Sequence, residues 1–148
     1  MADFPMLAQN SPSTACEPYR VLVVEDGRSV AEVLAMFFEL EGMETAMAFD
    51  GVQAVAKAES FIPHLVCMDL RMPKMDGYEA ARRIRARFQD AVVLVALCGW
   101  DDPDTRKRTA DAGFDLHLVK PVSPDDLRNV IQTCLHRKTP QASGSGPA

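Results

Sequence analysis

Val21-Leu22-Val23-Val24-Glu25-Asp26 sets four apolar residues, three of them β-branched, directly against two acids. An apolar run with no polar face reads as a strand buried on both sides, which is the condition of a strand in a parallel sheet. Working outward, each further apolar run is followed by a helical pattern. Val30, Val33, Leu34, Phe37 and Phe38 fall at i, i+3, i+4, i+7 and i+8, which predicts the buried stripe of a first helix that Gly42 ends. Glu44 to Phe49 predicts a second strand, and Asp50 with Gln53 a capping pair that opens a helix through Ser60. His64 to Met68 predicts a third strand. Asp76 and Glu79 then cap a helix whose buried side is Tyr78, Ala81, Ile84 and Phe88. Ala91 to Leu97 is the most strand-like run of all. Asp102-Pro103 opens a short polar helix that Gly113 closes, Asp115 to Val119 predicts a fifth strand, and Ser123-Pro124 caps a last helix with the stripe Leu127, Val130, Ile131, Cys134 and Leu135.

Five strands alternating with five helices require right-handed crossovers and a parallel sheet covered on both faces, a doubly wound α/β domain. The 148 residues leave room for one such domain. Its expected extent is 19–136, between polar, Pro/Ser-rich tails at 1–18 and 137–148 that are expected to be disordered. A net charge of −5 argues against a chain that binds nucleic acid over its whole surface. No apolar run reaches membrane-spanning length, and Met1 to Cys16 lacks the features of a secretory signal. Cys16, Cys67, Cys98 and Cys134 show no metal-finger spacing; three lie in apolar runs and read as reduced thiols, which suits the cytoplasm.

Folds of this class carry their chemistry at the carboxyl ends of the strands. Those ends are Glu25 and Asp26 after strand one, Asp69 after strand three, Cys98 after strand four and Lys120 after strand five. Carboxylates crowded at one edge repel unless a cation relieves them. Mg²⁺ suits the set, with Asp26 and Asp69 as side-chain ligands, because it takes oxygen ligands and leaves room for a phosphate oxygen. Lys120, brought beside Asp69 by the topology, would neutralise charge during transfer to a carboxylate nucleophile.

Val23-Val24-Glu25-Asp26, Asp69-Leu70-Arg71-Met72-Pro73-Lys74-Met75-Asp76-Gly77, and Gly113-Phe114-Asp115 running on to Lys120-Pro121 resemble the response-regulator receiver domains of two-component signalling, over about residues 20–136. The resemblance implies a flavodoxin-like (βα)5 parallel sheet of strand order 2-1-3-4-5. It also implies that Asp69 is the phosphoacceptor, that Glu25, Asp26, Asp69 and the backbone carbonyl of Arg71 hold Mg²⁺, that Lys120 contacts the phosphoryl group, and that Lys120-Pro121 is cis. Cys98 departs from the pattern, since it occupies the position, 22 residues before the lysine, where the family usually has Thr or Ser. A thiol is the weaker donor, so altered phosphoryl lifetime or switching is expected, with a reactive thiol as the sharper alternative. His117 stands where the family often has a switching aromatic; it reads equally as a half-exposed strand residue. Arg82, Arg83, Arg85 and Arg87 read as a solvated face.

The same resemblance implies a histidine kinase or histidine phosphotransfer protein as donor, docked on the first helix at about 28–41. Output is expected through helix four, strand five and helix five, to a partner the sequence does not identify, by dimerisation, or by passing the phosphate onward. A stand-alone receiver is expected, promoting only its own phosphorylation and dephosphorylation. Phosphatases of the haloacid dehalogenase type carry a second acid two residues after the nucleophile, where this chain has Arg71. A flavodoxin-like cofactor site lacks its phosphate loop. The remaining alternative is a receiver-fold interaction module that works without phosphorylation. Trp100, two residues beyond Cys98, is expected to sense the site.

Overall fold

In a computed structural model, residues 18–71, 76–99 and 101–138 are described, the last three by their backbone. The expected tails (all but residues 18 and 137–138), Cys16, the 72–75 part of the acidic motif and Trp100 lie outside the described residues. Five strands, β1 (Arg20–Val24), β2 (Glu44–Ala48), β3 (Leu65–Asp69), β4 (Val93–Cys98) and β5 (Leu116–Val119), form one sheet ordered β2-β1-β3-β4-β5, every neighbouring pair parallel. The helices between and after them are α1 (Arg28–Leu40), α2 (Gly51–Phe61), α3 (Gly77–Phe88), α4 (Pro103–Ala112) and α5 (Pro124–Lys138). The expected strand order is therefore observed. The three central strands are buried almost throughout, as unbroken apolar runs require. Leu22, Val24, Val66, Met68, Leu94 and Ala96 face a core built with α2 and α3. Val21, Val23, Leu65, Cys67, Val95 and Leu97 face one built with α1 and α5.

The caps are the ones the sequence predicts. Asp50, Asp76 and Asp102 accept the N–H groups of Gln53, Glu79 and Thr105, and Ser123 and Asp126 cap each other reciprocally. Strand limits move by one or two residues; β3 includes Asp69, and a 3₁₀ turn, Gln89–Ala91, precedes β4.

Three expectations need correction, the simplest being Leu135, read into the stripe of α5 but exposed to solvent. In α1 the buried residues are Ala31, Leu34, Ala35 and Phe38, whereas Val30 and Val33 are exposed. Small alanines let the helix lie close to the sheet, so the larger side chains turn outward. Arg85, read as solvated, is only 22% exposed and spans from α3 to the start of β5. It donates to the carbonyls of Gly113, Val92 and Gln89 and pairs with Asp115 at 2.6 Å, while Asp115 also accepts the Leu94 N–H. Gly113 sits at φ 103°, and a Cβ there would crowd the Arg85 stem at 3.2 Å, so both backbone and packing call for glycine.

Candidate functional site

Hydrogen bonds that extend the sheet past its strands bring the predicted residues to one edge. Glu25 N–H bonds Ala48 O just past β1, Leu70 N–H bonds Leu97 O just past β3, and Lys120 N–H bonds Cys98 O just past β5. Lys120-Pro121 is cis, as the resemblance implies. Gly77 lets α3 rest directly on the loop after β3, since a Cβ there would lie 2.8 Å from Asp69 O and Leu70 Cα.

Asp69 is 6% exposed and Glu25 4%, while Asp26 is open to solvent. One carboxylate oxygen from each of the three lies within 4.8 Å of the others. The Lys120 ammonium donates to Asp69 Oδ2 at 3.0 Å and to Glu25 Oε1 at 3.3 Å. Backbone amides complete the arrangement: Arg71 N–H donates to Asp69 Oδ1 at 3.1 Å and Gly27 N–H to Glu25 Oε2 at 3.1 Å. Burial, reinforced by the Asp69 charge, holds the Glu25 carboxyl above its usual range, although the Gly27 amide and Lys120 pull it down. Burial works against the Lys120 ammonium, yet its bonds to Asp69 and Glu25 outweigh that and raise its pKa.

Three acids sharing one ammonium leave an excess of negative charge that a divalent cation fits. Ligands of octahedral Mg²⁺ at about 2.1 Å stand roughly 3–4 Å apart, so small side-chain movements bring these oxygens to that spacing. The all-oxygen donor set fits Mg²⁺.

Cys98 lines the same cavity, of about 450 Å³, as Asp69 and Lys120. Burial first, and Asp69 next, push its thiol up to about 11 despite Lys120, a direction that favours the neutral thiol over the thiolate. His117 is half-buried; its Nδ1 lies 3.8 Å from Cys98 Sγ, and its Nε2 is buried without a partner among the described residues. Cys67 and Cys134 are buried, as Cys98 is. Sequence reasoning missed Tyr78, Thr105 and Arg108 as lining of this cavity. Tyr78 was legible only as a core residue, and the polar pattern of α4 carried no sign that Arg108 reaches the site.

The family model for the response regulator receiver domain matches residues 21–132. Response regulator MprA of Mycobacterium sp. (strain KMS) is 34% identical over 131 residues, covering 88% of this chain and 56% of that protein. The chain thus spans a little over half the length of the curated relatives it matches. Among solved structures, the chemotaxis protein CheY4 of Vibrio cholerae superposes with a TM-score of 0.75 at 27% identity, over 80% of this chain and 99% of that one. A CheY-like receiver domain protein of Methanospirillum hungatei gives a TM-score of 0.78 at 24% identity, over 85% and 100%, and speaks to the fold. Among the described residues no helix is long and apolar enough to cross a membrane. The family match, the parallel sheet of order 2-1-3-4-5 and the acids at its carboxyl edge lead to one conclusion: the chain belongs to the response regulator receiver domains of two-component systems.

Proposed function

We propose that the domain, over 19–136, accepts a phosphoryl group on Asp69 from a phosphohistidine of a kinase or phosphotransfer protein and signals through a partner. One observation carries the proposal: a buried Asp69 carboxylate held 3.0 Å from Lys120 and within reach of Glu25 and Asp26. In the proposed step an Asp69 Oδ attacks phosphorus as the N–P bond breaks, and the donor imidazole leaves with the electron pair. Lys120 meets the charge that gathers on the phosphoryl oxygens, and the Arg71 amide holds the carboxylate in position. Glu25, Asp26, Asp69 and the Arg71 carbonyl are the ligands proposed for Mg²⁺, which would neutralise a phosphoryl oxygen. Cys98 lines the phosphoryl cavity as a neutral thiol. The domain promotes no reaction beyond its own phosphorylation and dephosphorylation.

The donor would dock on α1. Val30, Val33, Met36 and Leu40 form an exposed apolar stripe there, Leu40 being 80% exposed, and α1 follows directly from Glu25-Asp26-Gly27. A helix of the donor laid on that stripe would stand beside the site. Buried free thiols suit a reducing cytoplasm. The alternative module that works without phosphorylation gains no support, because the acids and the lysine are assembled rather than scattered.

The test is incubation with Mg²⁺ and acetyl phosphate followed by intact-mass measurement. Wild type is expected to gain one phosphoryl group and Asp69→Ala none. A wild type that stays unmodified with acetyl phosphate and with a phosphohistidine donor refutes the proposal.

A further inference from the structure

The cavity over Asp69 holds a cation that the proposed chemistry leaves unused. Its volume of about 450 Å³ is several times that of a phosphoryl group, and Arg108 of α4 lines it together with Asp69, Cys98 and Lys120. The Arg108 guanidinium lies over the Tyr78 ring, 4.2 Å from its centroid. Among the described residues it makes no ion pair, unlike its neighbours Arg106 and Lys107, which pair with Asp101 and Asp111.

An aspartyl phosphate brings peripheral oxygens that carry between one and two negative charges and ask for several donors. The other donors around the cavity are committed or weak. Lys120 is divided between Asp69 and Glu25. The Thr105 hydroxyl donates to Asp102 Oδ2 at 3.2 Å, and Arg71 already has a partner. Cys98 offers only a thiol, which lies 3.8 Å from His117 Nδ1. We infer that Arg108 is a second phosphoryl-binding cation: once Asp69 is phosphorylated, its guanidinium leaves the Tyr78 face and bonds a peripheral oxygen, drawing α4 toward the site. This rests on Asp69 being the phosphoacceptor. A cation over a ring face is held less strongly than a guanidinium in a charge-assisted pair with phosphate, so the exchange runs one way when the oxygens arrive. The state of Asp69 is then reported to α4 by an arginine, where position 98 offers no hydroxyl.

The test is calorimetric titration of the Mg²⁺-loaded full chain with beryllofluoride, a phosphoryl mimic, alongside the acetyl phosphate label. Arg108→Met keeps the stem over Tyr78 and loses the fork, and is expected to bind about tenfold more weakly, ~1.4 kcal/mol. Arg108→Lys is expected to fall between. The loss shrinks in a Cys98→Thr background, where a hydroxyl joins the site; an equal loss there overturns the idea that Arg108 makes good a missing donor. Amide exchange across Pro103–Ala112 slows on beryllofluoride binding in wild type and not in Arg108→Met. Unchanged affinity and exchange in Arg108→Met overturn the inference and leave Asp69 as phosphoacceptor. A wild type that takes neither label nor mimic overturns both.

Discussion

Replacing Lys120 by Met keeps a long unbranched stem and removes the ammonium 3.0 Å from Asp69 Oδ2 and 3.3 Å from Glu25 Oε1. Two buried carboxylates are left facing each other without their cation. With an effective dielectric constant of about 20, one such contact is worth at most about 5 kcal/mol. The Lys120 side chain is 36% exposed, so screening and its own desolvation bring the expected net loss to about 2 kcal/mol. The dependence on pH separates charge from packing. Burial already raises the Glu25 carboxyl, and Lys120 is one of the groups holding it down, so it rises further in the variant. A group whose folded pKa lies above the unfolded one contributes stability below the unfolded value and loses it as pH rises through the folded value. The charge that Lys120 no longer balances therefore costs the variant at pH 7, and the deficit shrinks toward pH 4 as Glu25 takes up its proton. Saturating Mg²⁺ supplies another counter-charge and is expected to recover part of the loss at pH 7. Urea midpoints followed by circular dichroism, at both pH values and with and without Mg²⁺, measure all of this. An equal deficit at pH 7 and pH 4 that ignores Mg²⁺ would show that Lys120 acts through its stem alone and refute the electrostatic account.

Gly77→Ala pushes a methyl group against Asp69 O and Leu70 Cα; a loss of about 1–3 kcal/mol in thermal melting and weaker Mg²⁺ binding are expected, and wild-type values for both would contradict the close packing of α3 on the loop after β3. Arg85→Met leaves Asp115 and the Gly113 and Val92 carbonyls without their guanidinium, so chemical denaturation is expected to reveal about 2–4 kcal/mol of lost stability; a change below the noise would return Arg85 to the solvated face. Iodoacetamide labelling of Cys98, read by peptide mass spectrometry, is expected to be slow at pH 7 and to rise about tenfold per pH unit toward a thiol pKa of about 11. Rapid labelling at pH 7 would mean that Lys120 outweighs burial after all.

The sheet was legible because each central strand is a short unbroken apolar run, a pattern that few arrangements other than a covered parallel strand tolerate. The edge chemistry was legible for a related reason. A parallel sheet fixes where strand ends meet, so acids and a lysine read one after another along the chain had to converge. The rotation of α1 was not legible. The buried stripe was read through Val30, Val33 and Phe37, yet Ala31 and Ala35 face the sheet while Val30 and Val33 stand in water. A helix with large apolar residues on both sides offers two candidate stripes, and periodicity alone cannot say which side the sheet takes.

Arg85 shows the opposite failure, in which position was informative and residue type was followed instead. Ala81, Ile84, Arg85 and Phe88 stand at i, i+3, i+4 and i+7, so Arg85 belongs to the inward stripe of α3 by spacing. Its guanidinium is tolerated there because acceptors wait for it: the Gly113 carbonyl, beside which no Cβ intrudes, the Val92 carbonyl and the Asp115 carboxylate. Among the described residues the ion pairs of Arg82, Arg83 and Arg87 are exposed ones, with Glu79 and Glu59. The same reasoning separates Arg108 from the other cations of α4. Arg106 and Lys107 have acids at hand, whereas Arg108 rests on the Tyr78 ring and lines the cavity over Asp69, so the cation with no acid beside it among the described residues is the one the proposed phosphoryl group would meet.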